Sequence, residues 1–235
     1  TASQKSHLTK ASNKQVSSKQ EYSRNSAKSS SLPDLRKYPS GTPRKKAFLR
    51  TVMPYITSQN AAITAERNWL ISKQYQGQWS PAERARLKDI AKRYKVKWSG
   101  NTRKIPWNTL LERVDIIPTS MVATMAAAES GWGTSKLARN NNNLFGMKCM
   151  KGRCTNAPGK VKGYSQFSSV KESVSAYVTN LTTHPAYSSF RKSRAQLRKA
   201  DQEVTATAMI HKLKGYSTKG KSYNNYLFAM YQDNQ

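Results

Sequence analysis

Acidic residues are scarce in this chain. Only 12 of 235 residues are Asp or Glu against 41 Lys or Arg, a formal net charge of +29. Such a field attracts polyanions, whether nucleic acid, an anionic membrane surface or an acidic wall polymer. Long apolar runs are missing too. The longest, 121–128, falls well short of the roughly 18 residues of a membrane-crossing helix, so no transmembrane segment is expected. Cysteine is nearly absent, with Cys149 and Cys154 alone in CMKGRC. Their spacing excludes a C-x-x-C redox motif. A zinc site would need four ligands, and His7, His184 and His211 lie far off in sequence, so neither a metal nor another cofactor is expected. The pair either clips a tight hairpin in an exported protein or stays as two free thiols. No zinc-finger spacing, RNP motif or basic region leading into heptads is present, which argues against specific nucleic-acid recognition. A Ser-His-Asp set, a Gly-rich phosphate loop and H-E-x-x-H are equally missing.

What is present divides the chain. Residues 1–45 are rich in Ser, Lys, Asn and Gln with little to bury, and read as a disordered basic tail. A chain beginning at Thr1 rather than Met is what removal of an export signal leaves. Residues 46–115 read as a helical extension. Phe48, Leu49, Val52, Met53 and Ile56 recur at spacings of three and four. A second helix is expected over 61–76, around Ile63, Trp69, Leu70 and Ile71. A third opens at SPAE, where Ser80 caps, Pro81 suits the first turn and Glu83 completes a capping box. A short helix is expected over 106–113.

Residues 116–235 read as the core. PTSMVATMAAAES carries small or apolar side chains all round, as a central buried helix does. Gly131 and Gly133 end it. Residues 147–167, with Gly152, Pro158, Gly159 and Gly163, read as a small β-hairpin lobe. Helices resume at Ser169, with Glu172 placed as a cap partner, and continue over 186–199, 202–213 and 221–232. The chain is thus mostly helical, α+β through one short lobe, and without internal repeats.

Glu129 is the candidate for chemistry. It leaves an apolar helix near its C-terminus, where the dipole is negative, and partial burial acts the same way. Both disfavour ionisation, the condition a general acid needs near neutral pH. The same pattern also fits a solvent-facing Glu in a last helical turn. Trp132, Phe145, Tyr164, Phe167, Tyr187, Tyr216 and Tyr223 come after it in the chain. Aromatic faces stack on sugar rings and Asn side chains bond hydroxyl and N-acetyl groups, although aromatics also fill cores. The asparagines at 140–143 fit a turn as well, since Asn tolerates left-handed backbone.

The stretch ESGWGTSKLARNNNNLFG, 129–146, resembles the N-acetylglucosaminidases of glycoside hydrolase family 73, in particular their Bax-like branch. FLRTVMPYI, RVDIIPTSMVA, SVSAYVTNLTTHPAY and LKGYSTKGKSY extend the likeness over about 47–234. The resemblance implies a lysozyme-like fold with a cleft between a helical body and a β-lobe. It implies hydrolysis of the β-1,4 bond after N-acetylglucosamine in peptidoglycan strands by a periplasmic, secreted or cell-surface protein. That location agrees with a disulfide across Cys149 and Cys154. By the same resemblance Glu129 is the general acid and Tyr216 lines the active site beside it. Asn143, Phe145 and Gly146 form the cleft. Trp132, Tyr164, Phe167, Tyr187 and Tyr223 are further candidate sugar contacts, and the basic surface a site for anionic envelope polymers.

One departure stands out. Many members carry a second Glu in the lobe, yet between Met147 and Lys171 there is no Asp or Glu. Inverting and retaining glycosidases both need a second carboxylate. Its place is taken by the substrate's own N-acetyl group, or by Glu172, Asp201 or Glu203 folding back, or catalysis is weak. The alternatives in function are a lytic transglycosylase, which needs one Glu, and a non-catalytic wall or polyanion binder.

Overall fold

In a computed structural model of the chain, one helix, α1, runs through Thr42–Lys73. The structure describes residues 32–149, 152, 154, 157–213, 225, 229, 230 and 233. Two helices were expected where α1 is continuous. The intervening Thr57, Ser58, Gln59 and Asn60 include no residue that forces a break, and Pro54 sits exposed inside the helix. Ala47, Phe48, Val52, Ile56, Ile63 and Leu70 form its buried stripe. The described chain also begins earlier than the expected end of the tail at 45. A 3-10 turn, Leu35–Lys37, precedes α1 and buries Leu35 completely. Arg44 ties that turn down, donating from Nε to Leu35 O at 3.1 Å and from Nη2 to Tyr38 O at 3.1 Å.

Helix α2, Pro81–Arg93, opens with the expected capping box: Glu83 N to Ser80 Oγ is 3.1 Å and Ser80 N to Glu83 Oε1 is 3.0 Å. Helix α3, Trp107–Arg113, leads through a tied linker into α4, Thr119–Ser130. Met121, Val122, Ala123, Met125, Ala126, Ala127 and Ser130 of α4 are all buried, so it runs through the centre as its small side chains foretold. The linker is held by arginines. Arg194 lies fully buried on α7, Ser188–Lys199, and donates to the carbonyls of Glu112, Arg113, Asp115 and Ile116. Arg67 of α1 donates to Leu111 O and Val114 O. Like any helix, α3 leaves its last carbonyls without an intrahelical donor, and these guanidinium groups supply the bonds.

Helix α5, Lys136–Asn141, and α6, Val170–Thr183, flank the lobe. Val170, Val174, Tyr177, Val178 and Leu181 of α6 face the core, against which α1 packs. The helix expected over 202–213 is shorter. Asp201 turns left-handed at φ 54° and Thr205 caps a new start, leaving α8, Ala206–Met209, and a 3-10 turn, Ile210–Lys212. The helix expected over 221–232 lies largely outside the described residues.

The β-hairpin lobe is not formed among the described residues. Residues 147–167 hold one isolated antiparallel bridge, Lys148 to Tyr164. Pro158 has no amide hydrogen to give a ladder, and Lys160 N turns back to Ala157 O at 3.2 Å. Two backbone bonds flank the bridge, Cys149 N to Gly163 O at 3.1 Å and Ser165 N to Met147 O at 3.0 Å, and side chains from α5 and the loop after it add to them. The hydrophobic core runs as one cluster from Leu35 to Leu213. Residues 46–115 share that core with residues 116–213, and the expected boundary at 115/116 falls inside the arginine-tied linker.

Candidate active site

Glu129 lies half-buried in the last turn of α4. Gly131 closes the helix in the left-handed region at φ 55°, so the chain reverses within two residues of the carboxylate. The reversal is tightly bonded. Trp132 N donates to Ala127 O at 3.0 Å, Gly133 N to Ser130 Oγ at 2.9 Å, and Ser135 N to Ser130 O at 3.0 Å. Across from the acid stands Gly146, at φ 65°. A Cβ added there would lie 3.0 Å from Glu129 Oε2. The backbone of the lobe therefore comes up to the carboxylate with no side chain between them.

The other described acids have different duties. Asp34 pairs with Arg36, Glu66 and Asp89 with Arg93, Glu83 with Lys73, and Asp115 with Arg198. Glu172 serves the start of α6, although its carboxylate engages Ser168, the residue before the N-cap, where the expected capping box would have used the N-cap amide. It accepts from Ser168 N at 2.7 Å and from Ser168 Oγ, while its own amide donates to the N-cap Ser169. Glu112 sits on α3, and Asp201, Glu203 and Asp233 are exposed. No group of three His, Cys, Asp or Glu side chains among the described residues could hold a metal.

The asparagine run stitches the lobe to the body. Asn141 donates to Val161 O and Ser165 O and accepts from Val161 N. Asn142 donates to Phe167 O. Asn143, buried, donates to Met147 O at 2.8 Å and Ser165 O at 3.0 Å, and accepts from Phe145 N and Met147 N. Both its donor hydrogens and both its acceptor lone pairs are engaged by backbone. Of the residues expected to touch sugar, Asn143 thus holds the shape of the loop. Phe145 is buried and stacks on Tyr177, with ring centroids 4.1 Å apart. Phe167 and Tyr187 are buried as well. These three side chains pack into the core. Tyr164 is half-buried at the bridge, and Cys149 is bonded to Cys154 at the tip of the lobe. Trp132 packs edge-on to Phe48 at 5.6 Å and carries the Lys45 ammonium 5.1 Å above its ring. Tyr216 and Tyr223 lie outside the described residues.

The arrangement brings one half-buried carboxylate to the junction of body and lobe, facing backbone. Such a group can give a proton to, and take one from, a polar atom laid along that junction. Sequence reasoning passed over Leu35, Lys45 and Tyr177. Of the three, only Leu35 had a signal, as an isolated apolar residue in a polar stretch. A groove of about 280 Å³ lies elsewhere, along α6 between Lys95 and Glu172. A family model, Glucosaminidase, described as mannosyl-glycoprotein endo-beta-N-acetylglucosaminidase, matches residues 106–235. No solved structure matches the chain.

Proposed function

The chain belongs to the glucosaminidase family of glycoside hydrolases, and on that premise we propose that it cuts peptidoglycan at the β-1,4 bond after N-acetylglucosamine, with Glu129 as general acid. The observation that carries this reading is the opposition of the Glu129 carboxylate to Gly146 at the junction of body and lobe. Glu129 protonates the glycosidic oxygen as the bond to the anomeric carbon breaks. The second group is the substrate's own N-acetyl carbonyl, which attacks that carbon from the opposite face. Glu129, now ionised, takes the proton of the water that opens the intermediate. Three facts favour this over a second carboxylate: no acid lies between 147 and 171, Glu172 is tied as a cap, and Asp201 and Glu203 are exposed beyond α7. Tyr216 supports the N-acetyl group.

The protein works in the periplasm or outside the cell, and its positive surface retains it on anionic envelope polymers. No helix of the described residues is long and apolar enough to cross a membrane. Mass spectrometry of peptidoglycan digested by wild type and by Glu129→Gln tests the reading. New reducing N-acetylglucosamine ends from wild type only are expected. Anhydromuramic ends would make it a lytic transglycosylase. Uncut glycan with tight, salt-sensitive binding would make it a binder that kept the fold.

A further inference from the structure

The turn that follows Glu129 is held by a part of the chain outside the matched residues 106–235. Leu35 in the 3-10 turn and Phe48 on α1 are both fully buried. They occupy the space beside Gly133, where an added Cβ would collide with Leu35 Cδ1 and lie 3.2 Å from Phe48 Cδ2. Trp132 adopts a left-handed backbone at φ 57°. A bulky residue keeps that conformation only where its surroundings enforce it. Those surroundings are the edge of Phe48, at 84° to the indole, and the Lys45 ammonium over its ring. On its other side the turn is bonded into α4 through Ala127 and Ser130, the residues that bracket Glu129 within one helical turn. Moving Trp132 or Gly133 therefore moves the backbone that carries the acid.

We propose that Leu35, Lys45 and Phe48 are positioning residues for Glu129, so that the segment 32–48 completes the active site from outside the family's matched region. This rests on the reading of Glu129 as the general acid. A general acid displaced by a fraction of an ångström loses rate while substrate binding persists. A clamp with this role thus acts on kcat, whereas a mere core patch acts on stability alone.

The test compares Phe48→Ala, Phe48→Leu, Lys45→Ala and Lys45→Arg in the full chain. Two readouts are needed: kcat and KM on purified peptidoglycan, and the titration of the 13C-labelled Glu129 carboxyl by NMR without substrate. Phe48→Ala is expected to lower kcat about tenfold and Lys45→Ala about threefold, each with KM held within about twofold. Phe48→Leu and Lys45→Arg restore most of the loss. The Glu129 midpoint is expected to move in the two Ala variants, because its surroundings shift. If Phe48→Ala fails to fold, Lys45→Ala, at a half-exposed position, still decides the matter. An unchanged midpoint and unchanged kcat in folded Lys45→Ala, and in Phe48→Ala where it folds, would overturn the proposal while leaving the glucosaminidase reading intact. A wild type that cuts no glycan, with midpoints that do move, would sink that reading and keep the clamp.

Discussion

Gly146 decides how near the lobe can come to the acid. Its φ of 65° and the 3.0 Å from a would-be Cβ to Glu129 Oε2 act together. An Ala there must strain the backbone, at about 1 kcal/mol, and push the carboxylate aside. Gly146→Ala is expected to stay folded, melt a few degrees lower and lose roughly tenfold or more in kcat at nearly constant KM. A steady-state comparison on glycan strands reads this directly, and an unchanged kcat would mean that the carboxylate points elsewhere in the working enzyme. The helix pattern alone fitted a solvent-facing Glu129 as well as a buried acid; the structure places it half-buried beside Gly146. The residues beside it were legible as a group but not in their direction. Asn143, Phe145, Phe167 and Tyr187 turn inward, and a motif does not say which way a side chain faces.

The start of α2 was the most readable element, since its signals are all local. Ser80 caps, Pro81 fits the first turn, and Glu83 answers Ser80. The Glu83 carboxyl is held down from 4.5 to about 2, first by the hydrogen bond from Lys73, then by the Ser80 backbone and Gln76. A depressed carboxyl contributes stability that is fully present above its unfolded value and is lost as pH falls through the folded one. Glu83→Gln is therefore expected to lower the melting temperature modestly at neutral pH and to converge on wild type as pH falls from 4.5 to about 2, as a pH series of thermal melts would show. The effect is modest because the group is exposed and water screens it. Elements whose form depends on distant partners were less legible. Nothing in 57–60 announces that α1 runs on, because continuity comes from packing against α4 and α6. Among the described residues of the lobe only the bridge of Lys148 and Tyr164 pairs as strand, and asparagine side chains, which periodicity does not register, supply further bonds to its backbone.

Across the whole molecule the net charge of +29 overstates what the surface presents as free arginine. Arg67, Arg113, Arg191 and Arg194 all donate to backbone carbonyls: Arg67 and Arg194 hold the linker after α3, Arg113 the chain after α2, and Arg191 the end of α6. Asp115 is the only carboxylate paired with Arg67, Arg194 and Arg198 among the described residues. Burial pushes its pKa up, but the hydrogen bond from Arg198 and the charges of Arg194 and Arg67 outweigh that and leave it lowered. Burial likewise pushes Arg194 down, so each charge depends on the other. Asp115→Asn keeps an oxygen for the Ile116 amide, which Asp115 Oδ1 accepts at 2.8 Å, but removes the negative charge and turns Oδ2, the acceptor of Arg198 Nε, into a donor. It leaves a fully buried guanidinium with no compensating anion. Breaking such a cluster typically costs about 3–5 kcal/mol, far more than any surface pair. Urea titration at neutral pH is expected to show that loss. Because the lowered carboxyl stabilises only above its unfolded value, the gap between wild type and Asp115→Asn should narrow as pH falls through the folded value. A variant as stable as wild type at neutral pH would show that the arginines hold the linker through its carbonyls alone, with Asp115 adding nothing.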